Sequence, residues 1–289
     1  MPVIVVTDSS ARLPDAMIAE WGIRVVPLHI LVDGNDLRDG VDQTPADLYQ
    51  RQVTTAGASP TELSAVYREA LSDSRGDGVV AVHISNELSS TLGAAQHAAR
   101  EFDGAVRVVD SKSAAMGTGF VALAAARAAR DGGDLSTVAA QAEATVPRVH
   151  AFLVVQRLEN LRRSGRIGAA ASWLGTALAL KPLLRIDDGK LVLAQRVRTT
   201  SKATVAMVEH VLAAVGEQRA ALAVHHVDNP AGAAEVAATL AAALPGCGPA
   251  VVTDLGPVLG VHLGPGAVGV VLATEPADDS VVSEPRSVR

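Results

Sequence analysis

A single cysteine, Cys247, occurs in the 289 residues, so no disulfide can close within the chain. The paired-Cys spacings of structural zinc sites are missing as well. Aromatic residues are scarce, with two Trp, two Tyr and three Phe, and the formal net charge is −6 without a long basic run. Nucleic-acid binding rests on a cationic footprint or on stacking rings, and neither is present. No apolar run approaches the ~20 residues needed to span a bilayer. Met1-Pro2-Val3-Ile4-Val5-Val6-Thr7-Asp8 reaches an acidic residue early and has no basic n-region, unlike a signal peptide. These absences point to a reducing cytoplasm, no metal or cofactor, no nucleic-acid partner and no stable membrane insertion.

What remains is an apolar chain, 48% hydrophobic and 19% charged, rich enough to build a substantial core. Its length suits two domains. Residues 3–6, 25–31, 79–83 and 106–109 read as strands, and residues 13–21, 47–53, 63–71, 91–100 and 120–130 as helices between them. Ser59-Pro60-Thr61-Glu62 has the form of a capping box with proline in the first turn, and Thr44-Pro45-Ala46-Asp47 repeats the pattern with aspartate. Such alternation predicts a mostly parallel sheet with helices on both faces.

After a helix over residues 135–146, capped by Asp134, Pro147 marks a break. A second series follows: a strand over 151–155, a short helix near 158–163 and a helix over 169–180. A hairpin of 183–186 and 191–197 turns at Asp187-Asp188-Gly189-Lys190. A helix over 202–215, a strand over 221–226, a helix begun by Asn229-Pro230, and strands over 251–253 and 268–272 complete it. The expected organisation is therefore an α/β domain over 1–147 with a mostly parallel sheet, and a second α/β domain with a hairpin over 148–274. The charged, aperiodic tail 275–289 reads as disordered.

Ligands of open α/β sheets bind beyond the carboxyl ends of the strands. There the chain carries Thr7-Asp8-Ser9-Ser10, whose acid and hydroxyls suit helix capping. Ser85-Asn86-Glu87-Leu88-Ser89-Ser90-Thr91 holds more hydroxyls and amides than capping needs, and a helix N-terminus so equipped suits a carboxylate or phosphate. Asp110-Ser111-Lys112-Ser113 lacks the order of a nucleotide phosphate loop. Thr55 lies in a small loop ahead of the Ser59 cap. Arg162-Arg163-Ser164-Gly165-Arg166 and Arg196-Val197-Arg198 concentrate arginines, read either as solvated surface or as forks for carboxylate or phosphate oxygens. His262 lies in Gly260-Val261-His262-Leu263-Gly264-Pro265-Gly266, a glycine-rich turn leading into a strand. It is either a solvent-facing turn residue or an anion ligand. A Ser89/His262/Asp8 triad lacks the Gly-x-Ser-x-Gly elbow, and His225-His226 has no third metal ligand suggested nearby.

In order and spacing these segments resemble the DegV family of bacterial fatty-acid-binding proteins, from about residue 3 to residue 272. Thr7-Asp8-Ser9-Ser10 is similar to the family's opening Thr-Asp-Ser-[Ser/Thr], and residues 84–91 to its Ile-Ser-Ser-x-Leu-Ser-Gly-Thr. Val109-Asp110-Ser111 follows, then Leu161-Arg162-Arg163-Ser164-Gly165-Arg166-Ile167 beside the family's Leu-x-x-Gly-Gly-Arg-Ile, and Lys181-Pro182-Leu183-Leu184 beside Lys-Pro-Ile-Leu. Arg198-Thr199 and the His262 segment complete the match. The family's Thr-Ser-Gln-Pro-Ser is Thr55-Ala56-Gly57-Ala58-Ser59 here, Asn86 and Ser90 replace a serine and a glycine, and Ser164 replaces the first glycine of Gly-Gly-Arg-Ile.

The resemblance implies two α/β domains and a buried long-chain fatty acid whose carboxylate is held by Thr55, Ser89 or Ser90, and His262. It implies that Arg166 and Arg198 lie near the mouth and assist phosphoryl transfer or docking of a partner. That partner is an ATP-dependent fatty-acid kinase, to which a non-catalytic, lipid-carrying subunit presents the acid for acyl-phosphate formation. The alternative from another class is a stand-alone hydrolase or phosphotransferase using Ser89 or His262.

Overall fold

The structure, a computed structural model, describes residues 2–167 and 181–275. The helix expected over 169–180 and the tail from 276 onward lie outside the described residues. The chain begins with β1 (Ile4–Asp8), α1 (Asp15–Trp21), β2 (Arg24–Val26), β3 (His29–Val32), β4 (Asn35–Arg38) and β5 (Val53–Ala56). It continues through α2 (Pro60–Ser74), β6 (Val79–His83), α3 (Thr91–Ala99), β7 (Val106–Asp110), α4 (Met116–Arg130) and α5 (Leu135–Thr145). The later elements are β8 (Val149–Val154), α6 (Glu159–Arg163), β9 (Lys181–Asp187), β10 (Lys190–Val197), α7 (Thr200–Val215) and β11 (Ala220–His226). They end with α8 (Pro230–Ala243), β12 (Val251–Asp254), α9 (Gly256–Leu263) and β13 (Val268–Thr274).

The parallel sheet runs β2-β1-β6-β7. Every residue of β6 is buried, as expected of a central parallel strand covered on both faces. Alternation then sorts its side chains. Ala81 joins Leu63, Tyr67 and Ala95 of α2 and α3, while Val80 and Val82 join Val121, Ala125 and Val138 of α4 and α5. Local signals place these helices. Ser59 and Glu62 form the reciprocal capping box, Glu62 N–H to Ser59 Oγ at 3.3 Å and Ser59 N–H to Glu62 Oε2 at 2.8 Å. Asp134 accepts from Thr137 N–H at 2.8 Å, and Asn229 from Gly232 N–H at 3.1 Å.

Two expectations fail here. The run over 25–31 is not one strand: Pro27, which offers no N–H to a ladder, separates β2 from β3, and the two join different sheets. Residues 47–53 form a single 3₁₀ turn, Leu48–Gln50, instead of a helix, because β-branched Val53, Thr54 and Thr55 pair with β3 as β5. The result is an antiparallel three-stranded sheet, β4-β3-β5. Thr55 therefore sits on a strand opposite Ile30 and not in a loop.

The six-stranded sheet runs β10-β9-β8-β13-β11-β12 and contains the expected hairpin, β9 with β10. Phe152, Val154, Val270 and Leu272 face α7 and α8. Ala151, Ala223 and Val271 point the other way and share one apolar core with α4, so this helix packs between the two sheets. At the hairpin turn, Ser85 Oγ donates to Gly189 O at 2.9 Å and Lys112 pairs with Asp188 at 2.5 Å. Ser85 thus docks the hairpin onto the parallel sheet.

Candidate functional site

A cavity of about 390 Å³ opens between the carboxyl ends of the parallel strands, the inner face of the six-stranded sheet and α9. Its volume lies within the ~300–1,000 Å³ common for small-molecule sites. Most of the lining is apolar: Ile84 and Leu88 beyond β6, Leu153 on β8, and Leu255, Val258 and Leu259 along α9. Into this wall the structure brings Thr55, Ser89, Ser90, Arg166 and His262. Arg198 is not among the lining residues and is exposed just beyond β10, where Thr199 caps α7.

His262 does not occupy a turn. It stands in the last turn of α9, which the glycines terminate: Gly264 has φ 79° and its N–H returns to Gly260 O at 2.7 Å. The imidazole Nε2 and Thr55 Oγ1 lie 2.8 Å apart in a hydrogen bond spanning 207 residues. Its Nδ1 is buried without a hydrogen-bond partner among the described residues, which leaves one ring nitrogen for a ligand. Burial and the neighbouring Arg166 guanidinium push the His262 pKa down to about 4, so the ring is neutral near pH 7. The positive charge at the site belongs to Arg166.

Arg166 is anchored through its own side chain, Nε to Leu88 O at 3.3 Å and Nη1 to Ser164 O at 2.6 Å. The first contact fixes the guanidinium beside the Ser89 segment. Ser89 Oγ pairs with Thr91 Oγ1 at 2.8 Å and accepts from Thr91 N–H at 3.3 Å, in the first turn of α3. Close packing of this turn on the loop after β5 needs Gly57, where a Cβ would lie 2.6 Å from Thr91 Oγ1. Ser90 makes no capping bond and faces the cavity.

Thr55, Arg166 and His262 also border a second, adjoining cavity of about 540 Å³ with Gln52, Thr54, Asn160 and Arg163. The described residues that line it are mainly of polar or basic type, and none of them is acidic. An apolar interior thus meets a cationic vestibule across three polar side chains. That division suits an amphiphile with an anionic head.

The imagined Ser89/His262/Asp8 triad does not assemble. Asp8 is fully buried and accepts from His83 Nδ1–H and Ile84 N–H, both at 3.0 Å, and from Ser10 N–H at 3.1 Å and the Ser10 hydroxyl. Its pairing with Ser10 N–H is the capping role its sequence context suggested. His225 lines the inner cavity, which sequence reasoning missed. Its Nδ1 pairs with Thr253 Oγ1 at 2.8 Å and its Nε2 accepts from Met116 N–H at 3.2 Å, so neither nitrogen is left for a metal.

Complete burial pushes the His225 pKa down to about 3, so two imidazoles are held neutral by the fold. In the unfolded chain both protonate near their ordinary value of 6.5. Between that pH and about 4 the unfolded state binds more protons, so unfolding free energy rises with pH. This contribution is complete above 6.5 and declines as the pH falls below it. Urea midpoints measured from pH 7.5 to 4.5 should fall steadily, and His262→Gln should flatten part of the slope. An unchanged slope in that variant would show that His262 carries none of it.

A family model described as "Uncharacterised protein, DegV family" matches residues 2–275. A DegV domain-containing protein of Mycobacterium tuberculosis is 64% identical over 270 residues, covering 93% of this chain and 96% of the relative. Among solved structures, a DegV family protein from Thermus thermophilus described for its fatty acid binding superposes with a TM-score of 0.89 at 35% identity. That likeness covers 95% of this chain and all of the other, 100%. DegV from Bacillus subtilis, described as a fatty acid binding protein, gives a TM-score of 0.86 at 28% identity over 95% of this chain and 100% of its own. Among the described residues no helix is long and apolar enough to cross a membrane. Sequence, α/β architecture and the solved relatives agree that this chain belongs to the DegV family.

Proposed function

We propose that the protein binds a long-chain fatty acid, with the acyl chain in the inner cavity and the carboxylate at its boundary with the vestibule. The observation that carries this reading is the sharing of Thr55, Arg166 and His262 by an apolar and a polar compartment. A buried carboxylate is costly unless charge and several donors meet it. Arg166 supplies the charge and the hydroxyl of Ser89 or Ser90 a donor, while the Thr55–His262 pair supplies one more: His262 Nδ1–H when the Thr55 hydroxyl donates to Nε2, or the Thr55 hydroxyl when Nε2 carries the ring hydrogen. Each methylene buried adds ~0.8 kcal/mol. Fatty acid binding by the Thermus thermophilus and Bacillus subtilis relatives supports the same assignment.

In this reading the protein is a carrier and not the catalyst. The Ser89 hydroxyl is paired with Thr91 and not with a histidine, which speaks against a stand-alone serine hydrolase. The vestibule leaves the carboxylate approachable, so a separate ATP-dependent kinase in the cytoplasm can form the acyl phosphate there. Arg166 assists at the head group and Arg198 meets the partner from outside. Protein purified from bacteria should release about one fatty acid per chain on denaturing extraction, as read by mass spectrometry. His262→Ala and Ser89→Ala should each weaken palmitate binding about tenfold, the worth of a hydrogen bond to a charged group. Protein that arrives empty and also ignores added palmitate and oleate would overturn the reading.

A further inference from the structure

Gly269 interrupts a strand whose neighbours are Val268, Val270, Val271 and Leu272. Glycine inside a strand weakens it, and often marks the close approach of another group. The register sets Gly269 between Leu153 of β8 and His225 of β11, in one row across the six-stranded sheet. All three residues line the inner cavity, and none lines the vestibule. They belong to the wall that the six-stranded sheet gives the cavity, whereas Thr55, Ser89 and His262 come from β5, the α3 start and α9. Even an alanine methyl at Gly269 would lie 3.1 Å from Phe152 O and 3.2 Å from Leu153 Cβ. A side chain fits above this glycine only if the Phe152 carbonyl and Leu153 of β8 both give way.

His225 contributes a wall of unusual character. With Nδ1 spent on Thr253 and Nε2 on Met116 N–H, it has no polar atom left to offer the cavity. The Met116 amide follows Ala115, which also lines the cavity and adopts φ 52°, ψ −144°, close to a region essentially reserved for glycine. Backbone strain of this kind persists where surrounding contacts enforce it, and it clusters at ligand sites. Here the His225 bond holds the strained step in place.

We propose that Leu153, Gly269 and His225 form the floor that receives the distal acyl carbons, and that the missing side chain at Gly269 sets the longest chain the cavity admits. This rests on the fatty-acid reading above. It makes the preferred ligand a long, unbranched acid, and each methylene denied its place on the floor should lower affinity roughly fourfold.

The test titrates decanoate, palmitate and icosanoate into delipidated full-length wild type, Gly269→Ala and Leu153→Ala. Gly269→Ala should weaken palmitate at least tenfold while decanoate changes less than twofold. Leu153→Ala should move the other way, raising the affinity for icosanoate relative to palmitate at least threefold. A general loss of structure would shift all three acids together in both variants. Parallel shifts, or unchanged ratios, overturn the proposal. Should Gly269→Ala fail to fold, the icosanoate-to-palmitate ratio of Leu153→Ala decides alone. Wild type that binds none of the three acids overturns the fatty-acid reading, and the floor with it.

Discussion

Arg166→Ala is expected to weaken fatty-acid binding about a hundredfold or more while leaving the fold intact. The reason is the charge state of the site. Burial keeps His262 neutral, so a bound carboxylate has the Arg166 guanidinium as its counter-ion on the cavity wall. Removing one partner of a hydrogen-bonded charge pair that is shielded from water costs ~2–5 kcal/mol, mainly because the other charge is left unpaired. Half-burial of Arg166 places the effect toward the lower part of that range. Arg166→Lys should recover only part of the affinity, since an ammonium cannot hold the Leu88 and Ser164 carbonyls and a carboxylate with one planar fork. Arg198→Ala, outside the cavity, is the matched control and should bind palmitate like wild type. Calorimetric titration with palmitate checks all three. Near-native affinity in Arg166→Ala would move the carboxylate elsewhere.

Asp8→Ala is expected to destabilise the protein by ~3–5 kcal/mol, the usual penalty for removing one member of a buried charged network. Asp8 and His83 are both fully buried, and Tyr67 beyond them is too. A carboxylate only accepts, so His83 Nδ1 carries the hydrogen toward Asp8, and Nε2 pairs with the Tyr67 hydroxyl at 2.9 Å. Burial and the nearby Asp8 charge push the Tyr67 pKa up, which keeps that hydroxyl protonated. Alanine at position 8 strands four donors at the carboxyl ends of β1 and β6, under the loop that carries Ser89. Tyr67→Phe removes only the outer bond and should cost ~1 kcal/mol. Urea unfolding at pH 7 distinguishes the two. A loss below ~1 kcal/mol for Asp8→Ala would mean that water or rearrangement satisfies those donors.

Much of the fold was legible because it is written locally. The Ser59 capping box, the Asp134 and Asn229 caps and the hairpin turn after Asp187 act through neighbours two to four residues away. The apolar runs of β1 and β6 mark parallel strands by composition alone. The three-stranded sheet was not legible, because β3 and β5 are stabilised by pairing with each other, and the propensity of residues 47–53 was read without that partner. The glycines around His262 suggested a turn. They are instead the stop signal of α9, a helix made of residues such as Gly256, Pro257 and Gly260 that seldom favour one.

For the site, the order of the short motifs picked out Thr55, Ser89, Ser90, Arg166 and His262, and all five line one cavity. Arg198 shares the arginine-rich composition but not the place, since composition carries no direction in space. His225 was weighed only as a metal ligand and Gly269 not as a wall of the cavity, although an isolated glycine among valines was a signal in plain view.

By itself the sequence determined the element types with local signals, the family and five polar residues that turn out to share one cavity, because capping, periodicity and motif order act over short stretches of chain. Only the tertiary structure decided which groups meet: Thr55 with His262 across 207 residues, Asp8 with His83 across 75, and Gly269 between Leu153 and His225. Such contacts arise when sheets and helices bury their apolar faces together, and they leave no periodic mark on the chain.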